Sequence, residues 1–460
     1  MSERVLTREF WFGDVDARVL ALFRIGLGAT LFTDLLDRLR DLHAFYTEGG
    51  VMPLAFAYLT GGHWSLLQLS GSDHFVVAFF LLALVATAAM TVGLFSRAAT
   101  IATWVVTVSI QHRNLSVCDS GDTVLRVMCF WAMFADLGAR FSLDVRLGRR
   151  PLRRFVAAAP LRLMQAQLAA IYLYAAATKV GPSWWDGTAV LRAVQNSDFA
   201  RPLGLVVARF PRLCAFFDHA TLATEWTLPL LIFSPWQLRR ARIVAIVAAL
   251  ALHVGIALTM RIGVFSVIMP VCMILLAPVA AAPPAPETTW RRVGLSLGIA
   301  QLILAGVEQH GNYFEAESRP NPVLAAEVSA VALWQNWSMF APEPPAYFFR
   351  WQAPGELSDG SPVEALSRVA PHMLPEPGWR YSRWYKLRQN LEDQSRARLL
   401  AFGQYVCRRH NEATAAERLA RFTLVLERRP MPVRGAHSRQ LQRLESLQQR
   451  CLDAPPGGAL

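Results

Sequence analysis

Charge is scarce in this chain of 460 residues. Asp, Glu, Lys and Arg make up 17% against 53% apolar residues, so much of the surface must face something other than water. A soluble protein of that length is therefore not expected. Lysine is nearly missing: the 46 basic residues are 44 Arg and two Lys, Lys179 and Lys386. The formal charge of +12 does not read as nucleic-acid binding, because the Arg clusters interrupt long apolar runs instead of forming a basic tract beside stacking aromatics. Cysteine is sparse as well. Cys118, Cys129, Cys214, Cys272, Cys407 and Cys451 contain no CxxC pair and no Cys/His spacing suited to a metal, and two lie inside apolar segments. Neither a disulfide framework nor a zinc or other metal site is expected from that pattern. The N-terminus has no short apolar core followed by a small-residue cleavage site, which predicts no removable signal peptide. No internal repeat stands out.

What is present is a series of apolar runs. A bilayer-crossing helix needs about 20 largely apolar residues, since lipid offers no water to exposed backbone groups. Nine segments fit, over 17–38, 74–96, 99–113, 122–139, 161–180, 219–235, 241–260, 262–283 and 290–308, the third and fourth being short. Positive charge in short loops sets orientation. With the N-terminus inside, the inner loops hold Arg97, then Arg140 to Arg154, then Arg239, Arg240 and Arg242, then Arg291 and Arg292. The outer loops are sparser, with Arg113 and, over a much longer stretch, Arg192, Arg201, Arg209 and Arg212. The expected fold is an all-α polytopic membrane helix bundle of nine transmembrane helices over residues 1–308, with a small α+β extracytoplasmic domain over 309–460. In that domain Phe349 to Leu366 reads as a β-hairpin around Ser358-Asp359-Gly360. Residues 381–401 and 412–422 have helical periodicity, and the tail after 432 reads as helical, then loose at Pro455-Pro456-Gly457-Gly458.

Ionisable groups inside a bilayer need a partner, a cavity or a purpose. Asp34, Asp122, Lys179, Glu225 and His253 come from five helices and all fall in the outer half of the membrane, which predicts a shared, outward-facing polar site. Arg24 and Asp136 fall in the inner half or at an inner end and are left out of it. Lys179 carries the sharpest hint, because Arg serves wherever a mere positive charge is needed. An ammonium in apolar surroundings can lose its proton and act as a base, whereas a guanidinium cannot. The competing reading has Lys179, just before Gly181-Pro182, snorkelling to the headgroups and complementing a helix C-terminus. His253 is either a packing residue beside Gly255 or a site residue. Asp122 and Arg126 are spaced for a same-face ion pair. Tyr172, Trp184 and Trp185 read as an interfacial belt or, beside a basic Lys, as a slot for a flat ligand. Trp334 to Phe340 most simply docks the polar domain onto the membrane.

The run Tyr172-Leu-Tyr-Ala-Ala-Ala-Thr-Lys179-Val-Gly-Pro-Ser-Trp184-Trp-Asp186-Gly187 resembles the segment of vitamin K-dependent gamma-carboxylases that holds their catalytic lysine. His253 followed by Ile262-Gly263-Val264-Phe265-Ser266 is similar to a second family segment. Phe23-Arg24-Ile25-Gly26, Ser142-Leu143-Asp144 and a Trp-Ser-Met-Phe-Ala-Pro stretch extend the likeness in order from about residue 20 to 365. The chain thus resembles a bacterial member of the HTTM group, the horizontally transferred transmembrane domain shared with those carboxylases. The resemblance implies an inner-membrane protein in which Lys179 is the base toward a reduced naphthoquinone of vitamin K or menaquinol type, with His253 as partner. Tyr172, Trp184, Trp185, Glu225, Asp122 and Asp34 would then line the ligand site. It departs where the family's catalytic Asn-His pair falls near Ser120-Gly121, and where Val180-Gly181-Pro182 replaces an acidic stretch. Peptide recognition is accordingly expected to differ or be lost.

Two functions follow. One is a quinol-linked membrane enzyme, with a peptide or protein partner on the outside. The other is a non-catalytic membrane protein for partner binding, export or self-protection, whose polar residues hold helices together. A transporter is disfavoured by the lack of paired broken helices.

Overall fold

The computed structural model describes residues 5, 7–61, 63–196, 198–278, 280–282, 289–314, 321–370, 373, 378–393, 395–413, 417–431 and 441–451. Each of the nine expected segments contains a helix, two of the helices covering only part of the expected run: α1 (Ala17–Arg38), α2 (Asp73–Val92), α3 (Ser96–Arg113), α4 (Ser120–Ala132, against 122–139), α5 (Ala159–Ala177), α6 (Pro211–Ile232), α7 (Leu238–Thr259), α8 (Phe265–Cys272, against 262–283) and α9 (Thr289–Phe314). Among the described residues only three are long and apolar enough to cross a bilayer: α1 with its continuation to Tyr46, α2, and α7. The structure thus supports a mostly helical chain with three candidate spans, and the nine crossings are not confirmed. α4 and α8 are short, and α3 and α5 bury polar side chains such as Thr103, Gln111, Gln165 and Gln167 against protein, so their composition falls below that of a lipid-facing helix.

Local chemistry sets the helix ends. Asp16 caps α1 by accepting from Arg18 N at 2.9 Å. α4 starts with a capping box in which Asp119 accepts from Asp122 N and Asp122 accepts from Asp119 N. α2 stops at Gly93, whose φ of 72° is left-handed and where a Cβ would stand 2.5 Å from Arg24 Nη1. Arg24 donates to Leu137 O at 2.8 Å and Phe141 O at 2.5 Å, and Asp144 accepts from Phe95 N and Ser96 N at the start of α3. The Phe-Arg-Ile-Gly and Ser-Leu-Asp motifs therefore tie helix ends together.

The two ends of the bundle differ. At one, β1 (Asp14–Asp16) pairs antiparallel with β2 (Phe155–Ala157) and β3 (Ala281–Ala282), gathering the chain before α1, the α4–α5 connection and the segment after α8. At the other sits the C-terminal domain. Its long strand β7 (Leu419–Pro430) carries β4 (Tyr347–Gln352) and β5 (Pro354–Leu357) along one edge and β8 (Gln442–Arg450) along the other. β5 forms the expected hairpin with β6 (Pro362–Glu364), turning through Gly360 at φ 84°. α10 (Arg383–Leu391) and α11 (Arg396–Ala413) pack against this sheet and bury Trp384, Leu387, Phe402 and Val406.

Three expectations for this domain are corrected. The predicted helix over 412–422 ends with α11, and β7 takes over at Leu419; the predicted helical tail is β8. Short apolar runs carry no decisive period, and pairing across β7, which buries Leu419, Phe422, Leu424 and Leu426, selects the strand. The loose segment at Pro455 to Gly458 lies outside the described residues. A disulfide is present after all, joining Cys407 on α11 to Cys451 beyond β8, 44 positions apart. The spacing is uninformative because the two meet only when β8 is laid beside β7.

Arg383 of α10 reaches into the bundle. It donates to Asp34 Oδ1 at 2.5 Å and Asp122 Oδ2 at 2.9 Å, while Arg38 binds the same two carboxylates and Tyr46 OH. This clasp, almost fully buried, locks the domain to α1 and α4.

Candidate functional site

An apolar cavity of 530 Å³ lies between α5, α6, α7 and α8. Helical periodicity points few polar groups at it. On α5, Tyr172, Ala175 and, one residue past its end cap, Lys179 follow the same face; on α6 the buried row is Leu222, Glu225, Leu228 and Ile232; on α7 it is Ala245, Ala249 and His253. Lys179, 3% exposed, donates to Ala175 O at 2.9 Å and to Glu225 Oε1 at 3.0 Å, with its ammonium 5.2 Å from the centre of the Trp184 ring. Glu225 Oε2 is also close, at 2.9 Å, but not in hydrogen-bonding geometry. Tyr172 OH and His253 Nε2 share a 2.7 Å hydrogen bond, and Phe265 packs edge-on against the imidazole. Two buried polar atoms, Glu225 Oε2 and His253 Nδ1, have no hydrogen-bond partner among the described residues.

Of the residues expected to form one pocket, Lys179, His253, Tyr172, Trp184 and Glu225 line this cavity. Trp185 does not: it is 62% exposed, as its interfacial reading requires. Asp34 and Asp122 do not either. They belong to the Arg38–Arg383 clasp, because Arg383 is supplied from a domain whose docking no helix period reveals. The expected Asp122–Arg126 pair is likewise replaced. Arg126 donates to Ala332 O, Trp334 O and Gln111 Oε1 at 3.0, 2.6 and 3.0 Å, with its guanidinium 4.2 Å above Trp334.

The segment from Trp334 to Phe340, expected to dock the polar domain onto the membrane, packs against the helix bundle, and the contact continues to Glu343. Phe340 O accepts from Trp184 Nε1, Pro342 O from Gly181 N, and Glu343 Oε1 from Ser183 N at 2.8 Å. Gly181 is required there, since a Cβ would stand 2.1 Å from Glu343 Cγ.

A second cavity, polar and 700 Å³ in volume, lies on the other side of a wall formed by Ile262, Phe265, Met339 and Phe340, which line both. Asp119, Arg126, Tyr381 and Lys386 line it. Tyr381 donates to Asp119 Oδ2 at 2.9 Å. Burial, reinforced by the charge of Asp122, raises the Asp119 carboxyl above its usual range. Burial lowers the Lys386 amine, against the pull of Asp119, Cys118 and Asp122. Arg126 is marked by its spacing from Asp122, and Lys386 by the scarcity of lysine, whereas no sequence signal marks Asp119 or Tyr381.

A helix bundle with membrane-spanning helices, a buried ion pair lining an apolar cavity and a small α+β domain docked onto it define an integral membrane protein. The chain matches the HTTM domain over residues 12–280 and belongs to that family, whose domain is the one shared with the gamma-carboxylases. No curated protein and no solved structure matches the chain significantly.

Proposed function

We propose that the apolar cavity binds a lipophilic quinol and that Lys179, once it has passed its ammonium proton to Glu225, receives a proton from the quinol hydroxyl as a neutral amine. The observation that carries this reading is the buried His253 Nδ1, which has no hydrogen-bond partner among the described residues, in an otherwise apolar chamber. Buried polar groups left without a partner are costly, and a ligand with polar ends and a flat apolar body supplies what is missing. Leu203, Leu213, Phe216 and Leu258 line the cavity and are also exposed on the outside of the bundle, so a hydrocarbon tail can leave sideways into lipid. These features fit a reduced naphthoquinone; such a ligand brings an ionisable hydroxyl. Ala175 O and Glu225 hold the Lys179 ammonium, Glu225 gives it a proton acceptor within hydrogen-bond reach, and Tyr172 fixes the His253 ring.

The same reading places the protein in the inner membrane with its N-terminus inside. Two observations support it: the Arg-rich connections fall at the end of the bundle that carries β1–β3, and the Cys407–Cys451 disulfide belongs in an oxidising compartment. Thiol-reactive mass tags on intact cells test the second point: free Cys407 and Cys451 without reductant overturn the orientation.

A second reading has support in one observation, that the Lys179 ammonium is already satisfied by Ala175 O, Glu225 and the Trp184 face. On that reading the pair is a strut in a non-catalytic membrane protein. The deciding experiment is quinol binding and oxidation in nanodiscs by wild type and Lys179→Arg, with reduced menaquinone-4 as probe. Arg keeps the charge but not the removable proton. Retained binding with turnover lost supports the base; full turnover in the variant, or no binding by wild type, ends the proposal.

A further inference from the structure

The polar cavity contains cations in excess of the carboxylates available to them. Three of its carboxylates are already paired: Asp198 with Arg388, Asp393 with Arg398, and Glu343 with Arg192 at 3.4 Å. Lys386 makes no hydrogen bond or ion pair with the described residues. Arg126, 1% exposed, donates only to two carbonyls and an amide oxygen. A guanidinium has five N–H groups, so two remain beyond those three bonds. Against Lys386 and Arg126 stands Asp119, whose Oδ2 accepts from Tyr381 and whose Oδ1 caps α4.

Buried cations that outnumber the carboxylate facing them are unfavourable unless something more of opposite sign completes them. We propose that this cavity binds an oxyanion arriving from the aqueous side, the carboxylate or phosphate group of a water-borne ligand, held by Lys386 and Arg126. The exposed residues Asn336 and Asp393 at its rim leave the cavity open to water. The stack of Arg126 on Trp334 holds the guanidinium plane in place, and a preset plane favours a planar or tetrahedral oxyanion over a halide. Lys386 lies beyond residue 280, so the family match does not assign it. The two lysines of the chain thus serve neighbouring cavities, one apolar and one polar, on either side of the Phe265–Phe340 wall. The proposal stands independently of the quinol reading.

The test uses the full chain in nanodiscs and isotopic acetylation of its amines, read peptide by peptide, with Lys179 as the internal reference. Probes are sodium acetate and inorganic phosphate at constant ionic strength, with acetamide as the neutral isostere. An anion at about four times its Kd slows Lys386 acetylation about fivefold, because the free fraction is 1/(1 + [L]/Kd). Lys179 acetylation stays unchanged. Protection by acetate alone or phosphate alone identifies the source. Equal protection by acetamide, or none by either anion up to tens of millimolar, overturns the proposal. Arg126→Gln is expected to lose the protection while Lys386 remains reactive. Should that variant fail to fold, Lys386→Met must abolish the anion's binding heat in calorimetry, and heat that persists in it also overturns the site. Protection that survives in Lys179→Met separates this site from any failure of the quinol reading.

Discussion

Glu225→Gln isolates the central ion pair of the apolar cavity. In the wild type the Lys179 ammonium, 3% exposed, has Glu225 at 2.9–3.0 Å and Ala175 O at 2.9 Å. Gln removes the negative charge and leaves that cation with only neutral acceptors, Ala175 O and the Gln amide oxygen, and the Trp184 face. Truncating one member of a buried pair costs about 3–5 kcal/mol. The ring contact, desolvated, contributes about 2 kcal/mol and is unchanged, so it does not offset the loss. A destabilisation of about 3 kcal/mol corresponds to more than a hundredfold change in the unfolding equilibrium. The double variant Lys179→Met, Glu225→Leu removes both charges together, and apolar replacement of a buried pair is often neutral or stabilising. The assay is reversible unfolding in mixed micelles with increasing SDS, followed by circular dichroism, on wild type, each single variant and the double. A coupling energy of at least about 2 kcal/mol is expected between the positions. Additive effects would refute the reasoning, since they would mean that the two side chains do not share a desolvated contact.

Arg383→Ala strips the clasp of its shared cation and leaves Asp34 and Asp122 facing each other with only Arg38. A loss of about 3–5 kcal/mol is expected, read as faster proteolysis between bundle and domain, and an unchanged digestion pattern would contradict it. Replacing Cys407 and Cys451 together by Ser frees a loop of 44 positions, for which chain entropy gives about 4 kcal/mol. Thermal unfolding of the domain should fall accordingly, and no shift would mean the bridge is not formed. Lys386 titrates below 10.5 because burial opposes its charge. In a Lys179→Arg chain its acetylation rate should therefore reach half-maximum at lower pH than a free lysine. The sign is that of a depressed amine: the penalty is present while the amine is protonated and is relieved as pH rises through the folded pKa, so stability increases toward alkaline pH in that window. A half-point at the free-lysine value would refute the burial of that amine.

Much of the bundle was legible along the chain. Nine apolar runs became nine helices, and Lys179, Glu225 and His253 were singled out because ionisable groups are expensive in such runs. Their depth alone could not sort them. Asp34 and Asp122 lie on the same kind of helix position as Glu225, yet they join Arg383, a residue more than 260 positions away from Asp122. That choice depends on a domain contact, which leaves no period in either partner. For the same reason Arg126 gave up its local carboxylate for backbone carbonyls of the Ala332–Trp334 segment.

Composition and periodicity by themselves determined that this is a membrane helix bundle with a polar C-terminal appendage, because apolar length and helical spacing are local properties. Tertiary structure decided the rest: that the tail is strand and carries a disulfide, and that the two lysines stand in separate cavities. Those outcomes depend on what each side chain meets across the fold, where sequence neighbours no longer constrain the energy.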